Sequence, residues 1–307
     1  MRNNPSLLLF PLIAIIFLSL SLGPGGVRGE IIFKIRLPRV LLGIFAGGVL
    51  SFVGGVLQGL LENPLCDPYI LGIASGATFG VSLSLLFGHV SYFFIPPFAF
   101  AFSLLSLFFV YTLAQVSGRI QKLSLILSGV LISFLFSSLS ILAMTFSKQP
   151  LAQIIYLIMG NLSVLFSPLT LMSFLIVFII SLILLYFLFS YAQELNILST
   201  GEEAAISVGI DTERLVRMVF IISSLLTGFV VSFVGSISFV GLVVPHIARA
   251  LYGYDHRKIL PASFLLGSSL LLISDIFART TAPVELPLSV VTALFGVPFF
   301  FYRLRRL

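Results

Sequence analysis

The chain has 307 residues, 59% apolar and 9% charged, with 17 basic and 11 acidic side chains and a net charge of +6. A soluble domain carries about 25% charged residues, so this composition excludes an ordinary cytosolic enzyme and a disordered chain. A membrane-crossing helix uses about 20 apolar residues, which leaves room for a single polytopic unit over 1–307 and for no large soluble domain.

Ten apolar runs follow in chain order, at 7–22, 40–61, 70–87, 92–116, 123–146, 169–191, 215–234, 239–252, 259–277 and 286–302. The first, preceded by Arg2, has the pattern of a signal peptide or of a retained span. Pro11 interrupts it and Gly23-Pro24-Gly25-Gly26 makes a poor cleavage site, which favours retention. The eighth run is short for a crossing in ideal helix form. Polar breaks fall at 62–68, 117–122, 193–214 and 253–258. The fold class this predicts is an all-α integral membrane protein with about ten transmembrane helices.

Alternation from an inner N-terminus puts Arg2, Arg119, Lys122, Arg214, Arg217, Arg249, Arg257, Lys258, Arg303, Arg305 and Arg306 on the inner side. Arg28, Lys34, Arg36, Arg39, Lys148 and Arg279 fall outside. Eleven against six obeys the positive-inside rule. Four of the outer six crowd into 28–39, where that rule predicts few cations. A basic balance of this kind reflects orientation in a membrane and gives no sign of nucleic-acid binding.

The second run carries small residues at steps of four: Gly43, Gly47, Ser51, Gly55 and Gly59. The third repeats the pattern with Gly72, Gly76, Gly80, Ser84 and Gly88. Four residues turn a helix by about 400°, so each stripe drifts slowly round its helix and lets another backbone approach. Tight packing is one reading. A sliding surface beside a translocation path is the other.

The inner segment 193–214 predicts a short capped helix. Thr200 with Glu203 fits a capping box, and Ser199 with Glu202 is the alternative register. Glu202 and Glu203 suit the positive end of a helix dipole. Ala204 and Ala205 continue the helix, and Gly209 stops it. Such an element suits docking of a soluble partner as well as it suits a connector. The prolines Pro64 and Pro68 make 62–68 a rigid turn. The string from Gly235 to Gly241 breaks the helical pattern in an apolar region, which lipid tolerates only where protein or a cavity encloses the backbone. Pro245 then kinks or starts the helix that carries His246 and Arg249.

Chemistry-bearing motifs are lacking in the sequence. It has no His-Glu-x-x-His string, no Gly-x-Ser-x-Gly elbow and no Gly-Lys-Ser/Thr phosphate loop. Cys66 is the only cysteine, so no internal disulfide forms. No catalytic residue and no metal ligand is assigned. Of the acids, only Asp275 approaches the interior of a span, which disfavours an ion-coupled secondary transporter.

Taken together, these strings resemble the FecCD-type permeases. The matching segments are Arg36-Leu37-Pro38-Arg39; Gln58 with Asn63-Pro64-Leu65, Asp67-Pro68 and Leu71-Gly72; and Gly201-Glu202-Glu203-Ala204 with Gly209. To these add Phe239-Val240-Gly241 through Pro245-His246 to Arg249, Asp255-His256-Arg257 with Pro261, Asp275 with Ala278-Arg279, and Glu285-Leu286-Pro287 with Gly296 and Pro298. Glu62 departs from the pattern, standing where many relatives carry arginine. Leu288-Ser289 departs too, where a small residue and glycine are commoner.

The resemblance implies an importer permease in a prokaryotic inner membrane, working as a homodimer with a central path. It implies two copies of a separate ATPase that binds ATP and Mg, and no cofactor in this chain. It also implies an extracytoplasmic substrate-binding protein. Coupling to the ATPase would fall to Thr200, Gly201, Glu202, Glu203, Ala204, Ala205 and Gly209. Docking of the binding protein would fall to Arg36, Arg39 and Arg279, with a purely structural bridge from Arg279 to Asp275 as the alternative. Gly43, Gly47, Ser51, Gly55 and Gly59 would serve the path or its packing, with the fifth run beside it. An iron-siderophore or haem complex is the leading substrate, followed by cobalamin and then a small oxyanion such as molybdate.

Overall fold

A computed structural model describes residues 4–23, 26, 28–86, 94–116, 119–164 and 167–304. Arg2, Gly88, His89, Arg305 and Arg306 lie outside the described residues. Thirteen α-helices are described: α1 (Leu9–Ser21), α2 (Gly29–Leu60), α3 (Ile73–Leu86), α4 (Ile95–Ala114), α5 (Lys122–Phe146), α6 (Leu151–Ile158) and α7 (Pro168–Ser190), followed by α8 (Ala192–Leu198), α9 (Glu202–Ser207), α10 (Thr212–Val234), α11 (Val240–Tyr252), α12 (His256–Thr280) and α13 (Leu288–Leu304). Each of the ten apolar runs coincides with one of these. Six are long and apolar enough to cross a membrane: α2, α4, α5, α7, α10 and α12. The other four, α1, α3, α11 and α13, are shorter apolar helices.

Three local features differ from the sequence reading. The outer stretch 28–39 is helical from Gly29 and passes through a π-helical turn at Ile32–Arg36 into the body of α2. Between α4 and α5, the two-residue strands β1 (Gln115–Val116) and β2 (Arg119–Ile120) form an antiparallel hairpin. The amphipathic helix α6 follows α5, in a stretch where hydropathy marked no element.

The centre of the bundle is α2, buried over most of its length from Arg36 onward and packed against α12, α10 and α11. Its small stripe explains why. A β-carbon at Gly47 would overlap the Gly267 carbonyl, and one at Gly267 would overlap the Ser51 hydroxyl. One at Gly43 would lie 2.7 Å from Leu272, one at Gly55 3.2 Å from Leu260, and one at Gly59 would overlap the His256 ring. All five positions are buried within the protomer. Of the two readings, packing is the one these contacts fit: the stripe is the contact surface between α2 and α12. Ser268 fastens the same seam, donating to Ile44 O of α2 at 3.0 Å. In α3, Gly76 and Gly80 admit the carbonyls of Phe102 and Phe98 of α4, each 2.5 Å from where a β-carbon would sit.

Large apolar side chains point outward elsewhere. Leu169, Met172, Ile176, Ile179 and Phe187 of α7, and Leu127, Leu131 and Phe134 of α5, are exposed. A surface of this kind suits hydrocarbon, where association rests on packing rather than on apolar burial.

Candidate functional site

At the face that the charge count expects to be inner, α8 and α9 form the segment expected to dock a partner. The structure corrects its N-terminal cap. The Thr200 hydroxyl donates to Ile197 O at 2.7 Å and the Ser199 hydroxyl to Asn196 O at 2.7 Å, so neither register of the capping box forms. Gly201, at φ +124°, begins α9 instead. Termination follows the expected course. Gly209 takes φ +86°, its amide bonds Ile206 O at 2.9 Å, and the Ile210 amide reaches Ala205 O at 3.1 Å. These two bonds define a Schellman ending. Ala205 is fully buried and packs inward, which removes it from any contact surface. Glu202, Glu203 and Ala204 are exposed, as are the apolar Ile206 and Val208.

This segment is anchored to α12 by Asn196, a residue to which the sequence assigned no role. Its amide nitrogen donates to Asp255 Oδ1 at 2.8 Å, so its carbonyl oxygen is the acceptor for His256 N at 2.8 Å and His256 Nδ1 at 2.7 Å. Asp255 caps α12. Its hydrogen bonds to the Arg257 guanidinium, then to Asn196 and the Arg257 amide, hold its carboxyl down at about 2.

Beside it, two distant strings of the family pattern meet. Gln58 is buried and donates to Cys66 O at 3.0 Å and Leu242 O at 3.2 Å, while Arg249 donates to its side-chain oxygen. His246 Nε2 lies 2.8 Å from Pro64 O. The 62–68 turn, shaped by its prolines, is thereby also fastened to α11 by side chains.

The break between α10 and α11 is enclosed by protein. The Gly235 amide bonds Val231 O at 2.9 Å, Ser236 N bonds Ile158 O at 3.0 Å, Ile237 N bonds the Tyr69 hydroxyl at 2.8 Å and Ser238 N bonds Ser289 Oγ at 3.3 Å. Ser289 Oγ also donates to Ser236 O at 2.5 Å. Asn161 N reaches Val234 O at 2.9 Å, and Leu288 N reaches Gly160 O at 2.9 Å. Three chain segments thus satisfy one another where regular helix stops, as a hydrocarbon setting requires. Phe239, at φ +68°, turns the chain into α11. A cavity of about 410 Å³ adjoins the break, lined in part by Tyr156, Asn161, Ser163, Thr170 and Ser232.

At the opposite face, expected to be outer, Arg36, Arg39 and Arg279 are not the exposed charges that docking would need; all three are buried. Arg36 donates to Leu20 O (2.7 Å), Ser21 O (2.8 Å), Gly23 O (3.1 Å) and Gly26 O (2.9 Å). Arg279 donates to Ser19 O at 2.6 Å. Two guanidiniums therefore satisfy the carbonyls left open at the C-terminus of α1, the end a cation favours. Arg39 bonds Asp275 at 2.6 Å and Ser163 at 2.8 Å and pairs with Glu285. Asp275 is fully buried, and its second oxygen lies 3.3 Å from Arg279 Nε. The three arginines and Glu285 line a cavity of about 290 Å³. The exposed charges of this region are instead Arg28 and the pair Lys34–Glu30, 2.7 Å apart.

This fold defines a multi-pass helical membrane protein, with a small exposed helix at one face and a buried ionic cluster near the other. The chain belongs to the FecCD transport family, whose pattern matches residues 9–306. It is 38% identical over 275 residues to the cobalamin import system permease protein BtuC of Halobacterium salinarum, covering 90% of this chain and 73% of that one. It is 36% identical over 286 residues to the molybdate import system permease protein MolB of Haemophilus influenzae, covering 91% and 83%. A solved structure described as a metal-chelate type ABC transporter in an inward-facing conformation superposes with a TM-score of 0.89, at 32% identity over 99% of both chains.

Proposed function

We propose that the chain is the permease subunit of an ATP-binding-cassette importer for a metal chelate, in the inner membrane of a prokaryote. Two copies would enclose the path. Two ATPase subunits that bind ATP and Mg would dock at the inner face, and a binding protein would deliver substrate from outside. The observation that carries this reading is α9, a short helix that, with its capping residue Val208, presents Ala204, Ile206 and Val208 to the inner solvent beside Glu202 and Glu203. A plain connector has no use for that exposed apolar surface. The lack of a phosphate-loop motif in the sequence agrees with ATP hydrolysis in a separate chain. Asp275, the acid nearest the interior of a span, is engaged by two arginines, Arg39 and Arg279.

The substrate class rests on relatives named for cobalamin, molybdate, iron chelates and hemin. An iron-siderophore or haem complex is the leading candidate, with cobalamin and molybdate as the alternatives. Reconstitution in proteoliposomes with the cognate ATPase tests the reading. Uptake should require both the ATPase and ATP, and Ala204→Arg should abolish co-purification of the two. Uptake driven by an ion gradient alone would overturn it.

A further inference from the structure

Three inner elements that are distant in sequence meet at one cation. Lys122 is the first residue of α5, and its ammonium lies 2.5 Å from Glu62 and 3.6 Å from Glu202. Glu62 stands just beyond the end of α2, and Glu202 is the first residue of α9. Glu202 also accepts from the Thr212 hydroxyl at 3.3 Å, at the start of α10. A second observation singles out this cluster. Glu62 is one of two non-glycine residues with positive φ among the described residues, at +49°. Its position follows a helix C-cap, where glycine is the unstrained choice. A side chain kept in that conformation points to a function for its carboxylate. Lys122 is about one-fifth exposed, whereas both carboxylates are more open, so the cluster can form and part without burying a bare charge.

We infer that Lys122 is a positioning residue that clasps the ATPase-facing helix α9 to the 62–68 turn and to the inner end of α5. The inference rests on the coupling role proposed above for α9. Displacement of α9 by its partner then travels through Glu202 and Lys122 to Glu62. From there it reaches the turn that Gln58 and His246 fasten to α11. Without Lys122, α9 keeps its packing on α8 and its Schellman ending, but the turn no longer follows it.

The test uses the permease–ATPase complex in nanodiscs and reads amide hydrogen exchange of residues 62–68 before and after addition of ATP with vanadate. The parent complex should show a nucleotide-dependent change in that segment. Lys122→Gln and Glu62→Gln should still co-purify with the ATPase and retain basal hydrolysis, while the response in 62–68 falls by about two- to fivefold, as expected for losing an exposed pair. Lys122→Arg should restore it. An undiminished response in Lys122→Gln overturns the clasp, as does loss of ATPase co-purification, which would place Lys122 in the docking surface itself. Failure of the parent chain to bind the ATPase at all would instead overturn the coupling reading.

Discussion

The two ionic clusters of this protein use the same side-chain chemistry in opposite surroundings. At the outer face, Arg39, Arg279 and Asp275 are buried, and each charge meets an opposite one within the chain. At the inner face, Lys122, Glu62 and Glu202 remain partly open to solvent. Removing one partner from a buried pair strands a charge in a poor solvent, at a cost of about 3–5 kcal/mol. Removing one from an exposed pair costs about 0–1 kcal/mol. The outer cluster is thus a permanent joint between α1, α2, α12 and the chain entering α13. The inner one is a contact weak enough to change during a cycle.

The largest expected effect comes from breaking the outer joint. Asp275→Asn leaves Arg279 without its counter-charge, and thermal unfolding in detergent should show a loss of about 3–5 kcal/mol. A smaller loss, about 1–3 kcal/mol, is expected for Gly47→Leu, because the added side chain must part α2 from α12. The same unfolding assay reads it, and unchanged stability would remove the stripe from the seam.

An acid titration sharpens the comparison at the inner side. The Asp255 carboxyl lies at about 2, below the ordinary value of about 3.9. A depressed carboxyl stabilises the fold above its unfolded value and loses that contribution as pH falls from about 4 to about 2. Unfolding of Asp255→Asn should therefore lack the part of the acid dependence that the parent shows in that window. The smallest effect belongs to Lys122→Gln. Its stability should lie within about 1 kcal/mol of the parent, and the gap should close in 1 M salt, where the Debye length is about 3 Å.

The helices were legible in the sequence because hydropathy reports them directly; the run at 123–146 differs from α5 by a single residue. The inner helix was legible for its glycine stop and illegible for its start, since Thr200 bonds back to Ile197 rather than forward. Nor could periodicity show that Ala205 faces inward while Ala204 faces solvent. The outer arginines were found by counting charges against the positive-inside rule, but a count carries no depth. Their partners are Asp275 and Glu285, more than 200 positions from Arg39, and the carbonyls closing α1. Asn196, Ser163 and Lys122 were missed as site residues because their partners lie in other segments. The two departures from the family pattern, Glu62 and Ser289, are both engaged, one with Lys122 and the other with the backbone of the break.

That break also bears on how the chain is made. The amide of Ser238 and the carbonyl of Ser236 depend on Ser289, and the Gly160 carbonyl depends on the Leu288 amide. Both partners belong to α13, the last described helix to be synthesised. Until it arrives, the Ser238 amide and the Ser236 carbonyl lack these partners. Insertion of the earlier helices therefore produces an intermediate that only the C-terminal helix completes. A ribosome-bound chain halted before residue 288 should remain susceptible at 235–239 to proteases that the finished protein resists.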